Sequence, residues 1–224
     1  MKKIKYFVLL VGLLTVFIDP SGKIEAADVN KGRVEQDVAA KIPSISIYDE
    51  DDLLNLTIGD AGKYHGDVCT CLTVAFKATK FAISQLWKDE IPRRGDFKIV
   101  SALPTPGSRD AFEFIARVVT RGNGEDFKVK MPGGTDARNM SKDNFAFTFV
   151  RKSSNEQITV YVKDNIFPKG YFELRKKVMF NIPTHPTQEE EKAFKQIKQK
   201  VRDLVLYSLS VNEIFDFEIK HNSK

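Results

Sequence analysis

The sequence predicts an α+β fold in which an antiparallel or mixed sheet packs with two long helices, one after a His-Gly-Asp-Val-Cys segment and one near the C-terminus. Three observations carry this. A 3.6-period apolar stripe begins at Val68. Two alternating, phenylalanine-rich segments follow in mid-chain, separated by a polar turn. A second long stripe then starts behind a Thr-x-x-Glu pair and leads into a last alternating segment. Helices and strands come in mixed order, without internal repeats, as α+β folds require.

In chain order, residues 28–57 mix charge, Pro43 and scattered apolar side chains without a sustained period, and read as a leader on the domain surface. The domain proper is expected over 58–224. Val68, Leu72, Ala75, Phe76, Thr79, Ile83 and Leu86 form the stripe of a helix of about five turns that should end near Trp87, ahead of Pro92. Asp96 to Ala102 alternates as a strand, and Pro104-Thr105-Pro106-Gly107 breaks it. Ser108 reads as the N-cap of the next helix, with Asp110 in its first turn and Phe112, Ile115, Ala116 and Val119 on its face. Gly122-Asn123-Gly124 stops that helix, and Phe127 to Lys130 is a short strand.

Asn144 to Val150 and Gln157 to Val162 predict a hairpin around Ser153-Ser154-Asn155-Glu156. Pro183-Thr184-His185-Pro186 is a linker. Thr187 and Glu190 make a capping box, behind which Phe194, Ile197, Val201, Leu204 and Val205 run as one stripe. Ile214 to Ile219 alternates as a final strand.

The N-terminus predicts export. Lys2, Lys3 and Lys5 precede an apolar run of 13 residues, Tyr6 to Ile18, and small residues follow at Ala26-Ala27. A membrane-spanning helix needs about 20 apolar residues, so 1–27 reads as a cleaved signal peptide and the protein as periplasmic or extracellular, with no stable anchor after cleavage. Cleavage removes four lysines and two acids from the 35 basic and 30 acidic side chains, leaving 31 against 28. A formal charge of +3 gives no footprint for nucleic acid.

The chemistry concentrates in Tyr64-His65-Gly66-Asp67-Val68-Cys69-Thr70-Cys71, at the entrance of the first long helix. Unpaired N–H groups and the positive dipole end favour a thiolate there, the form that attacks and that binds metal. On one continuous helix, 65 and 69 would share a face at i,i+4, whereas 69 and 71 would point about 200° apart. Only an extended start lets the cysteines converge. His65 and Cys69 are thus the leading pair, and Cys71 either faces the core or serves as an auxiliary thiol. Buried cysteine is often just a small hydrophobe, and that bland reading competes most strongly at Cys71. His185 and His221 read as solvated surface. Pro132 to Asp136 is a turn, since no Lys-Ser/Thr pair follows to make a phosphate loop.

Tyr64 to Leu72 resembles the aromatic-His-Gly-His-x-Cys-Pro-Gly-Leu signature of the FmdE-like family, named for the E component of formylmethanofuran dehydrogenase. Arg109-Asp110-Ala111 is similar to that family's second-helix start, and Lys142 to Phe149 to its Ala-Phe-Thr-Phe strand. The second family histidine is here Asp67, the proline Thr70 and the glycine Cys71; where the family has a cysteine before the second helix, this chain has Gly107. No cysteine follows Cys71, so the zinc-ribbon tail of some members is missing. The resemblance implies an α+β homodimer whose cleft holds a metal, usually zinc, and an association with molybdenum- or tungsten-dependent formate-type chemistry.

Three functions stay open at this point. One is an exported accessory or sensor protein binding zinc, or a similar transition metal, through His65 and Cys69, with Asp67, Cys71 or Asp110 completing the shell. Another is a thiolate enzyme or redox dithiol protein with Cys69 as nucleophile and His65 as base, Asp67 being the nearby candidate to orient the imidazole. The third is a ligand-binding or interaction module with a degenerate site. A small molecule or a redox enzyme is the expected partner. A homodimer is expected on the long C-terminal helix or the hairpin sheet, because Phe145, Phe147, Phe149, Tyr161 and Phe167 exceed what one face of a small sheet buries.

Overall fold

Alternating strands and two apolar helical stripes assemble in the computed structural model, which describes residues 44–134, 136–208 and 210–220. The segment read as a signal peptide and His221 lie outside the described residues. The chain is α+β, as the sequence predicts.

A hairpin opens the described part, β1 (Ile45–Asp49) antiparallel to β2 (Asp52–Leu56). Ile45 and Ile47 are buried in the core, so the described part of the expected leader over 28–57 is not confined to the domain surface; residues 28–43 lie outside the described residues. Helix α1 (Ile58–His65) follows, capped by the Thr57 hydroxyl, which accepts from Asp60 N–H. The central helix α2 (Thr70–Leu86) ends at Trp87, where the stripe says it should. Its burial goes beyond one stripe: Thr73, Val74, Ala78 and Ala82 are buried as well as Leu72, Ala75 and Phe76. A helix apolar on nearly all sides must be covered on several.

The cover is a five-stranded sheet on one side and helices on the others. The sheet runs β4 (Phe127–Val129), β3 (Phe97–Ser101), β5 (Ala146–Arg151), β6 (Glu156–Val162), β7 (Phe215–Lys220). Within this sheet, β4 pairs in parallel with β3, and the other ladders are antiparallel. Register places Ile99, Phe149, Ile158 and Ile219 opposite one another across four strands. Helix α3 (Pro106–Ala116) lays Phe112 against Phe147 and Phe149, ring centroids 5.4 and 5.9 Å away.

The N-cap of α3 is Thr105, not Ser108 as the sequence suggests. Pro106 takes the first helical position, where a missing N–H costs nothing, and Ser108 turns its hydroxyl to the Leu103 and Thr105 carbonyls. Helix α4 (Tyr171–Phe180) has no counterpart in the sequence reading. Helix α5 (Gln188–Tyr207) has the capping box expected of it, with Glu190 N–H on the Thr187 hydroxyl and Thr187 N–H on the Glu190 carboxylate. Its C-terminal carbonyls at Val205, Leu206 and Ser208 all accept from the Lys77 ammonium of α2. The one-turn helix α6 (Val211–Ile214) leads into β7.

The aromatic surplus of the hairpin is absorbed within one chain. Phe145, Phe147, Phe149 and Phe167 are all buried, leaving Tyr161 as the exposed member of the set.

Candidate functional site

His65 and Cys69 do not share a helix. Gly66 takes φ 98° beyond the last turn of α1, a left-handed cap that glycine adopts without steric cost, and the chain reverses before Cys69 caps α2. Cys69 is extended, at φ −80° and ψ 166°, and its Sγ accepts from Leu72 N–H at 3.5 Å. The i,i+4 relation expected of a continuous helix is therefore not the one used.

Both side chains instead back onto the turn of α3 that runs from Gly107 to Asp110; with the cap at Thr105, Asp110 lies past the first turn in which the sequence places it. His65 Nδ1–H donates to Asp110 Oδ2 at 2.7 Å. A side-chain carbon built at Gly107 would stand 2.7 Å from Cys69 Sγ, 3.1 Å from Leu72 N and 3.4 Å from Cys71 Cβ. Residues 107 and 110 are neighbours on one helix face at i,i+3, so the imidazole and the thiol approach the same short stretch of α3. Because Cys69 is extended while Cys71 is already helical, Cys71 also faces this approach. Among the described residues no hydrogen bond joins His65 to Cys69.

The two thiols, both free, sit in different settings. Burial pushes the Cys71 thiol up to about 11, the neighbouring Cys69 adds to the rise, and Thr105, Arg175 and Lys198 oppose it. Cys71 is thus a neutral thiol at neutral pH. Burial likewise raises the Tyr171 phenol, with the Cys71 thiol adding to it, and lowers the Arg175 guanidinium. Tyr171 and Arg175 lie on α4, the unforeseen helix, so this half of the surroundings is absent from the sequence reading. Asp67 is exposed. The carboxylate that orients His65 is Asp110, forty-five residues on, and not the nearby Asp67 that the sequence suggests.

A cavity of about 270 Å³ borders the same turn, lined by Leu103, Thr105, Pro106, Arg109, Asp110 and Phe127 among others. Among the described residues, no three His, Cys, Asp or Glu side chains come together as a metal-ligand group. His185 is exposed in its linker.

Residues 64–216 match the family described as FmdE, molybdenum formylmethanofuran dehydrogenase operon. Among solved structures, a tungsten formylmethanofuran dehydrogenase FmdE-like protein from Syntrophus aciditrophicus is 15% identical, with 75% of this chain and 73% of that chain covered and a TM-score of 0.41. None of the curated proteins compared matches the chain.

Proposed function

The chain belongs to the FmdE family, and from that membership we propose that it is an exported accessory or sensor protein that binds a transition-metal ion, zinc foremost, through His65 and Cys69. The observation that carries this reading is the His65–Asp110 pair. A ligating histidine commonly gives its other ring N–H to a carboxylate, which fixes the tautomer and makes the free nitrogen a better donor. With Nδ1 on Asp110, Nε2 is the nitrogen left for an ion, and Cys69 offers sulfur from the same side of α3.

The chain's own donors do not fit a closed four-ligand site. Cys71 is held neutral by burial, Asp67 is exposed, and among the described residues no third ligand joins the pair. They suit an open site whose other positions are filled from outside the chain, by a small ligand, a partner protein or a second copy. Exposed Leu204 and Tyr207 on α5, and exposed Phe217 on β7 of the sheet, support a homodimer on the helix or on the sheet. Lys2, Lys3, Lys5 and the apolar run behind them support export.

The test is metal analysis of untagged protein. Close to one equivalent of metal, lost in His65→Ala and Cys69→Ala and bound about 10- to 100-fold more weakly in Asp110→Asn, is the expected result; metal retained in both alanine variants overturns the reading. A second reading draws on the same pair. An Asp110-oriented His65 beside Cys69 is the order of groups a thiolate enzyme uses, and metal-free protein in which a thiol reagent labels Cys69 more slowly in Asp110→Asn would favour it.

A further inference from the structure

At the other end of α3 the chain builds a second recess, with no thiol or histidine in its lining. It has a volume of about 680 Å³, and five basic and four acidic side chains line it. The acids are largely spent. Asp49 is shared by Arg94 and Arg121, Asp126 pairs with Lys152 at 2.9 Å, and Asp96 accepts from Trp87 Nε1 and the Ser153 hydroxyl. Arg94 is spent as well, giving its other donors to the Ile115 and Phe114 carbonyls that end α3.

Arg117 differs from these. Its buried Nε has no hydrogen-bond partner among the described residues. Its Nη1 lies 3.8 Å from Glu113, beyond hydrogen-bond range. Glu113 is already occupied by the N–H groups of Val119 and Thr120 and by the Thr120 hydroxyl. Arg117 also caps α3 in the left-handed conformation, φ 55° and ψ 28°, where glycine or asparagine is the usual choice. Nothing in the ion-pair network of the recess gains from this arginine, and it adds repulsion. The Arg94 guanidinium is pushed below its ordinary value by burial and by Arg117 and Arg121, against the pull of Asp49.

We propose that this recess is a binding site for a small organic oxyanion, a phosphate ester or carboxylate with an aromatic or apolar body, anchored by the Arg117 guanidinium. Arginine's planar fork matches the two oxygens of such a group. With a long ion pair to Glu113 as the one polar contact of its side chain among the described residues, the Arg117 guanidinium keeps donors for an anion, and Arg121, which among those residues spends Nη1 on Asp49, lends a second guanidinium. Tyr48, Phe97 and Val118 supply an apolar wall. The recess stands apart from the His65–Cys69 site, and either assignment can fail without the other.

The experiment is calorimetric titration of the full chain at low ionic strength with phenylphosphate and, separately, benzoate, repeated on Arg117→Gly. Glycine suits the left-handed cap, so this variant is expected to melt no lower than the parent, which separates lost binding from lost fold. Arg138→Gln, on an exposed arginine paired with Asp136, is the charge control. Saturable one-to-one binding of at least one probe, weakened tenfold or more in Arg117→Gly and unchanged in Arg138→Gln, is expected; the tighter probe identifies the oxyanion. No saturation by either probe up to about 10 mM, where binding would be worth less than ~3 kcal/mol, overturns the proposal, as does equal binding by the glycine variant.

Discussion

Replacing Gly107 by alanine tests whether Cys69 and α3 meet as closely as the site requires. The added carbon would stand 2.7 Å from Cys69 Sγ, roughly 1 Å inside ordinary contact. The sulfur cannot simply swing away, because it accepts from Leu72 N–H, and losing an N-cap costs about 1 kcal/mol. If it stays, the helices must part, and overpacking of this kind costs about 1–3 kcal/mol. A net loss of about 2 kcal/mol lowers the melting temperature by roughly 4–8 °C in a chain of this size. The assay is thermal unfolding by circular dichroism of Gly107→Ala, Cys69→Ala and the double variant. Without the sulfur the closest neighbour is Leu72 N at 3.1 Å, so the alanine should cost about 1 kcal/mol less on the Cys69→Ala background. An unchanged melting temperature, or the same loss on both backgrounds, would refute the contact and with it the placing of His65 and Cys69 on one turn of α3.

Other outcomes follow from named groups. Lys77→Met removes an ammonium that serves three carbonyls at the end of α5 and should cost about 2 kcal/mol, read as a fall in melting temperature; no change would show those bonds to be idle. For Asp49, burial raises the carboxyl but the Arg94 and Arg121 hydrogen bonds outweigh it, so its folded value lies below the unfolded one. Its stabilisation is therefore complete above about pH 4 and lost as pH falls through the folded value. Asp49→Asn should be less stable at neutral pH and lose less on acidification to about pH 3, and an acid limb identical to the parent's would contradict this. Iodoacetamide at neutral pH should label Cys69 before Cys71, whose thiol is pushed up to about 11; peptide mass spectrometry showing the reverse order would count against a neutral Cys71 thiol.

The parts of the fold that are legible in the sequence are those that announce their own ends. Thr187 and Glu190 cap α5, Cys69 stands at the cap of α2, and the Phe147 and Phe149 alternation marks β5. The parts that are not legible lack such marks. Helix α4 starts at Gly170, with φ 79° and no side-chain cap, and Arg175, Lys176 and Lys177 interrupt its apolar face. Strands β1 and β2 turn through Glu50 at φ 57°, without the Asn-Gly or Asp-Gly pair that advertises a hairpin. Thr105 is hidden as a cap by the two prolines that flank it, although Pro106 suits the first helical position. Of the site, His65 and Cys69 are visible as a motif. Asp110 can be suspected only as a first-turn acid, since nothing local shows that α3 docks its N-terminus on them.

Helix α3 carries Gly107 on its first turn, Asp110 one turn further along the same face and Arg117 at its C-cap, with Gly107 and Arg117 about 15 Å apart at 1.5 Å per residue. Between them Phe112 is wedged against Phe127, Phe147 and Phe149. A rod held at its middle passes displacement to both tips in opposite senses, so a change of volume at Phe112 re-aims the thiol-facing end and the arginine end together. Mutational histories at the two tips should then be epistatic. A lineage that alters the residue at 107 inherits a shifted optimum at 117, and which of the two changed first decides which later replacements it tolerates.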